Sequence, residues 1–481
     1  MLEASAHAQL KDILQAISCP WPHNLTLGRL VARTFRRRDN TLIQLDIGSQ
    51  DFWWLGLLIP LSFDPSSAVL ILSEKQRQRL LKIELPRLRE KGVQLECWEG
   101  SQAPPDGQLW LMDYLGLVQA FRQESLQSKH LIIPEAEFLN ERLRDVMALK
   151  ITSEDWERLR RAHPSVDVAL MQLHERLSRK LFAQSTRVGA HVRMDCSEIF
   201  ALRDLIDSLL PSPPPWFELL QPESDHWASW AELDHKTLNW IWHLKLLDPL
   251  KHLYGLFKHQ PYLLLTGTDR NDLLITQLES LASPLKVKVT LGGHLLQEPI
   301  SLFAPRSQPL PNTEFYAQHL LDQSRRLILG LAGVTILLLD DDQLRRQITS
   351  ELASEFGKRV IHETITPDSN GVICCRWSWW LLHQDQLPPP QQLIIAILPL
   401  SSVEEPLIAA RVEALKRQGR DWFRELLLPE ALSVLPQAVA PLRASHGRLA
   451  ILDGRLRSRS WGEQFSRSLE PWTPLQRLLP N

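Results

Sequence analysis

Short apolar runs alternate with longer helix-patterned segments along most of this chain, and that alternation restricts it to one fold class. In the first half the runs are TLIQLDI (41–47), AVLIL (68–72), QLWLM (108–112), HLII (130–133) and YLLLT (262–266). In the second half they are VKVTL (287–291), GVTILLL (333–339), KRVIH (358–362), GVICC (371–375), QLIIAIL (392–398) and RLAIL (448–452). Strands that are apolar on both faces and separated by helices predict parallel sheets covered on both sides. One stretch breaks the rhythm. Residues 135–210 read as helical throughout, with Val166, Leu170, Leu173, Leu177 and Leu181 at helical spacing. The PSPPP run (211–215) leads out of that stretch. The expected architecture is α/β: two parallel-sheet domains in tandem, the first with an all-helical insertion. The boundaries read as 1–140 and 216–282 for the first domain, 141–215 for the insertion and 283–481 for the second domain.

Charge and composition narrow the function. Lys and Arg number 54 against 56 Asp and Glu, a net charge of −2, so no global field attracts nucleic acid or membrane. Glycines number 20 against 33 prolines, a poor supply for phosphate-cradling loops. Five cysteines (Cys19, Cys97, Cys196, Cys374, Cys375) form no metal-ligand spacing and read as reduced thiols, the vicinal pair as buried core. The N-terminal MLEASAHAQLKDILQAI reads as an amphipathic helix and not a signal peptide. The longest apolar run, 327–339, is too short for a bilayer-spanning helix of about 20 residues. A cytoplasmic protein without a membrane partner is the expectation.

The last quarter, LIIAILPL (393–400) through EEPLIAARVEALKRQGRDWFRELLLPEALSVLPQAVAPLRAS (404–445) to GRLAILDGRLRSRSWGEQFSRSL (447–469), resembles the end of the motor core of DinG/XPD-type superfamily-two helicases. Other segments resemble the family's motifs in the right order. TLIQLDIGSQDFWWLGLLIPL (41–61) stands at the nucleotide-binding loop, HLIIPEAEFLNER (130–142) at the DEAH box and YLLLTGTDRNDLL (262–274) at the TSATL segment. GVICCRWSWWLLHQDQLPPP (371–390) stands at the FWEGVD segment. The resemblance implies two RecA-like, P-loop NTPase-type domains and, in the family, ATP-driven work on DNA.

Hydrolysis by that fold needs a glycine-rich loop with a lysine, a metal-holding carboxylate, a water-activating carboxylate and arginines. On this alignment only Gly48 remains of the loop glycines, Trp53 stands at the lysine and Trp54 at the metal-touching hydroxyl. Pro134 replaces the metal-holding aspartate, Glu135 stays at the water-activating position and Glu137 replaces the histidine. Leu381 and Leu382 stand at a Glu-Gly pair. Gln437 matches a family glutamine, Pro441 and Ala444 replace two arginines, and Arg443 lies one residue away. Pro436 and Pro441 predict a kinked or shortened helix there. Glu135, Gln437 and Arg443 are thus motif remnants. The interval that holds four cluster-binding cysteines in some family members contains only Cys97, so no iron–sulfur cluster is expected. No cofactor is expected, and ATP with Mg²⁺ enters only if residual binding persists.

Two basic clusters remain as candidate nucleic-acid sites: Arg33 with Arg36, Arg37 and Arg38, and six arginines from Arg443 to Arg467 that include Arg455, Arg457 and Arg459. Trp227, Trp230, Trp240 and Trp242 read as a packed sheet face, with base stacking as the alternative. Two functions fit these residues. One is a helicase-fold protein that binds single-stranded DNA, other nucleic acid or a protein partner without hydrolysing ATP. The alternative is a divergent, active ATP-dependent DNA helicase.

Overall fold

The computed structural model describes residues 2–16, 21–45, 52–126, 128–184, 191–194, 196–209, 211–220, 226–267, 272–281, 284–292 and 299–475. The chain divides into two compact units, Met1–Gly292 with Ser402–Arg420, and Gly293–Ser401 with Asp421–Asn481.

The first unit contains strands β1 (Thr41–Leu45), β2 (Ala68–Ile71), β3 (Glu96–Trp98), β4 (Gln108–Met112), β5 (His130–Ile133), β6 (Leu149–Ile151), β7 (His191–Arg193), β8 (Trp227–Asp234), β9 (Asn239–Leu246), β10 (Tyr262–Thr266) and β11 (Val287–Leu291). Seven of them form a wholly parallel sheet in the order β11-β1-β10-β5-β2-β4-β3. Alternate residues feed opposite cores, as the pleat requires. Ile43, Leu70, Ile132 and Leu263 face one core, which the Leu2–Gln15, Asn24–Arg37 and Trp54–Leu61 helices share. Leu42, Val69, Leu131 and Leu264 face the other, against the Tyr114–Arg122 and Leu139–Val146 helices.

Two sequence expectations change here. Val287–Leu291, expected to open the second domain, is the edge strand of the first sheet, paired in parallel with β1 from Thr41↔Val287 to Leu45↔Leu291. Its half-covered alternation suits an edge, where only one neighbour screens the backbone. The insertion is not all-helical. β6-β9-β8-β7 form an antiparallel sheet that joins segments on both sides of the proline-rich run. The strands β6 and β7 are three residues each, too short to show a period in a helical context. The four tryptophans of β8 and β9 are all buried. Trp242 donates to Ser229 Oγ at 2.7 Å and Trp240 to Ser178 Oγ at 2.8 Å. Trp230 stacks on His243 with ring centroids 5.4 Å apart, beneath Ala410 and Leu407 of the Pro406–Arg417 helix. This is a packed face and not a stacking platform.

The second unit contains β12 (Ile300–Phe303), β13 (Thr335–Leu338), β14 (Val360–His362), β15 (Val372–Cys375), β16 (Gln392–Ile395), β17 (Arg448–Ile451) and β18 (Trp472–Pro474). They form a second parallel sheet, β14-β15-β13-β16-β17-β12-β18. Cys374 and Cys375 point into opposite cores of this sheet, and burial pushes the Cys374 thiol up to about 11. Among the described residues no helix is long and apolar enough to cross a membrane.

Candidate nucleotide and nucleic-acid sites

In a parallel sheet the loops that leave the strand ends all emerge at the carboxyl edge, where ligands of open α/β sheets bind. In the first unit that edge carries Pro134 to Glu137 after β5 and Gly267 after β10. Residues 46–51, Gly48 among them, lie outside the described residues. At the start of the next helix, Trp53 and Trp54 stack with centroids 4.2 Å apart and an interplanar angle of 20°, and both are buried in the core beneath the sheet. All eight residues of the Trp54–Leu61 helix are buried.

The first amides of a helix are the groups that could meet a phosphate. Here the Gly56 N–H donates to Asn24 Oδ1 at 3.1 Å, and Asn24 is fully buried. A Cβ on Gly56 would lie 3.0 Å from Asn24 O and from a Leu27 methyl, so glycine permits this close helix approach. At this point the phosphate-facing end of the helix is occupied by the protein itself.

The turn after β5 is also internally paired. Glu135 adopts a left-handed conformation (φ 51°), and its carboxylate forms an ion pair with Arg142 Nη2. Arg142 Nη1 donates to Tyr114 Oη at 3.0 Å, and the guanidinium lies 5.4 Å from the Tyr114 ring centroid and 5.2 Å from that of Phe138. Burial opposes the Arg142 charge, but Tyr114 and Glu135 outweigh it and raise its pKa. Glu137 Oε1 accepts from the Gly267 N–H at 3.0 Å, while its Oε2 is buried with no partner among the described residues. Burial pushes the Glu137 carboxyl up to about 7, against the amide hydrogen bonds it receives. With Arg142 in place a divalent metal does not fit this turn. Pro134 offers no ligand, Glu135 is paired with a cation, and no cluster of three or more His, Cys, Asp or Glu among the described residues could hold an ion.

In the second unit the Leu428–Ala444 helix is neither broken nor shortened. It runs for 17 residues through Pro436 and Pro441. Core contacts of Leu432, Leu435, Ala438, Val439 and Leu442 hold it where proline removes hydrogen bonds. Gln437 is half-buried on it. Arg443 is not aimed at an open edge. It donates to Leu469 O at 2.6 Å, Pro471 O at 3.2 Å and Glu470 O at 3.3 Å, tying off the C-terminal segment, and burial lowers its pKa. Leu381 and Leu382 lie in the Trp377–His383 helix, with Leu382 68% exposed.

The arginine clusters divide by role. Arg448 is buried against Gln392 and Leu327 O. Arg455 makes a two-pronged contact with the buried Asp453, at 3.0 and 2.7 Å, and Asp453 also accepts from Leu398 N. Arg467 pairs with Glu463 at 2.6 Å. Arg457 and Arg459 are left exposed at the carboxyl edge beyond β17. In the first unit Arg36 pairs with Glu3 at 2.9 Å and Arg38 donates to Ser128 O at 3.0 Å, while Arg33 and Arg37 are exposed. These residues precede β1, so they sit at the amino edge, opposite the carboxyl-edge loops. The asparagine cap on Gly56 and the Arg142 ion pair escaped sequence reasoning. Asn24 lies 32 residues before its partner, and Arg142 is unremarkable on a charged helix.

Comparison with known proteins fits this architecture. Residues 390–472 match the helicase C-terminal domain family. The ATP-dependent DNA helicase YoaA of Haemophilus influenzae is 32% identical over 121 residues, 24% of this chain and 19% of the relative. That of Escherichia coli is 27% identical over 179 residues, 34% of this chain and 28% of the relative. The matched part therefore spans less than a third of either curated relative. In fold, an apo XPD structure covers 94% of this chain and 99% of its own, with a TM-score of 0.60 at 11% identity. S. tokodaii Xpd4 covers 92% and 97%, with a TM-score of 0.60 at 13% identity. Identities this low bear on the fold alone.

Proposed function

We propose that this chain, which belongs with the DinG/XPD-type superfamily-two helicases by its C-terminal domain and its fold, works without hydrolysing ATP, as a nucleic-acid-binding or scaffold protein. The observation that carries this reading is the start of the Trp54–Leu61 helix. Two tryptophans are buried in the core at the positions of the lysine and hydroxyl, and Asn24 holds the Gly56 amide. The ion pair of Glu135 with Arg142 removes the one carboxylate left for water activation. Neither Mg²⁺ nor an iron–sulfur cluster has a part in the proposed function, and the proposed location is the cytoplasm.

Single-stranded nucleic acid is the proposed ligand, with Arg457 and Arg459 as its phosphate contacts because they alone of the second arginine cluster are exposed and carry no ion pair among the described residues. A protein ligand is the other outcome. Turnover assays with and without single-stranded DNA test the first point. DNA-stimulated hydrolysis that disappears in Glu135→Gln would overturn the reading in favour of an active helicase. Filter binding tests the second. Binding should weaken as salt rises and fall at least tenfold in Arg457→Glu/Arg459→Glu, each lost phosphate contact flattening the salt slope by about one unit. Absence of binding at low salt leaves the scaffold role.

A further inference from the structure

Two carboxylates meet where β5 ends, and only one of them is paired with a cation. Glu135 is that one, partly accessible at 38% of its side chain and paired with Arg142; Glu137 turns inward to Gly267 and leaves Oε2 buried without a partner among the described residues. A pair of acidic groups in a partly desolvated turn attracts a cation. The cation present belongs to the chain. Arg142 reaches back from the Leu139–Val146 helix, contacts Glu135 and Tyr114 with separate guanidinium nitrogens, and is packed between the rings of Tyr114 and Phe138. That geometry uses the planar fork that lysine lacks. It also ties down a residue in the left-handed region, which a non-glycine residue holds only when its surroundings enforce it.

We infer that Arg142 is the resident cation of this pocket: its guanidinium stands against Glu135 in place of a divalent ion and fixes the turn after β5 in one conformation whether or not nucleotide is present. Arg142 is in this sense a positioning residue. The inference rests on the proposed loss of nucleotide chemistry but is tested without nucleotide, so the two can fail separately.

The experiment is thermal unfolding of the full chain in chelator and in millimolar Mn²⁺ or Mg²⁺. The parent protein should show no cation-dependent shift. Arg142→Ala should unfold about 2–4 °C lower in chelator and recover in Mn²⁺, and Arg142→Ala/Glu135→Gln should not recover. Cation-dependent stabilisation of the parent protein, an unchanged midpoint in Arg142→Ala, or a folded Arg142→Ala that ignores Mn²⁺ would each overturn the inference. If Arg142→Ala does not fold, Arg142→Gln is read by Mn²⁺ paramagnetic resonance. Binding by the variant and none by the parent supports the inference; equal binding or none in both refutes it.

Discussion

Glu137 has one oxygen bonded to the Gly267 amide at 3.0 Å and a second buried without a partner among the described residues, and burial lifts its carboxyl from 4.5 to about 7. Glu135 and Arg142, on the same turn and the helix after it, act on it in opposite directions. Since the folded pKa lies above the unfolded one, the folded state keeps a proton that the unfolded chain has released. Stability therefore falls as pH rises from about 4.5 to about 7 and levels off above that. The whole effect is at most on the order of 3 kcal/mol. Glu137→Gln keeps the acceptor for Gly267 and has no charge to bury, so its urea midpoint should stay flat across that window while the parent's declines. Equal slopes in the two proteins would show that the carboxyl is already hydrated. At this scale the sequence revealed substitutions better than partners. Trp53, Trp54 and Pro134 stand out by residue type alone, whereas the contacts around them join Asn24 to Gly56 and Glu137 to Gly267 across 32 and 130 residues. Arg455 and Arg443 show the converse. A run of arginines looks like a ligand surface until Asp453 and three backbone carbonyls take them up.

Among the elements, the apolar strands were legible because parallel strands buried on both faces need little else, and β1, β2, β4, β5, β10 and β13–β17 all fall within the runs read from the sequence. The helices hid two features. The helical segments Glu74–Glu90 and 423–444 each contain a π-turn, Leu80–Glu84 and Phe423–Leu427, that ends two residues before a proline, Pro86 and Pro429. A proline ring clashes with the carbonyl four residues back, and widening the preceding turn relieves it. The wider turn shifts the helical face, so Leu80 and Leu88 are buried while Ile83 is 45% exposed and Glu84 sits buried between Arg79 and Arg87. The Pro406–Arg417 helix was legible as a helix but not in its place. Sequence order sets it among strands of the second unit, yet it belongs to the first, packed through Ala410 and Leu407 over Trp230 and joined by Glu413 to Arg193 at 2.5 Å. Trp230→Ala should therefore cost about 3–5 kcal/mol and expose two segments together. Hydrogen exchange should speed up in 406–417 and 227–234 while β16 and β17 stay protected. Loss of protection confined to β8 would mean that the helix is held by its flanking chain alone.

Both parallel sheets keep the frame of the helicase fold, and in the first unit the start of the Trp54–Leu61 helix is filled with packed side chains. In the first unit the core is continuous with the start of the Trp54–Leu61 helix: Trp53 and Trp54 share a cluster with Leu27, Ile43 and Leu57. Packing of this kind holds the first sheet without a nucleotide. On the proposed reading, one restored functional group is not enough for turnover. Trp53→Lys places an ammonium in a cluster of leucines and isoleucines, where an unpaired charge is costly, and leaves Asn24 on Gly56 and Arg142 on Glu135. It should lose roughly 3 kcal/mol or more of stability, the range for removing a large buried aromatic, and gain no turnover. The parent protein should likewise show no thermal shift in millimolar ATP with Mg²⁺. Linkage demands a gain of about 2.7 kcal/mol at a hundredfold excess over Kd, so at about 1 mM ATP a site with a Kd of roughly 10 μM or tighter would register. A clear shift, with or without hydrolysis, would mean that nucleotide enters by a route that the buried tryptophans do not block.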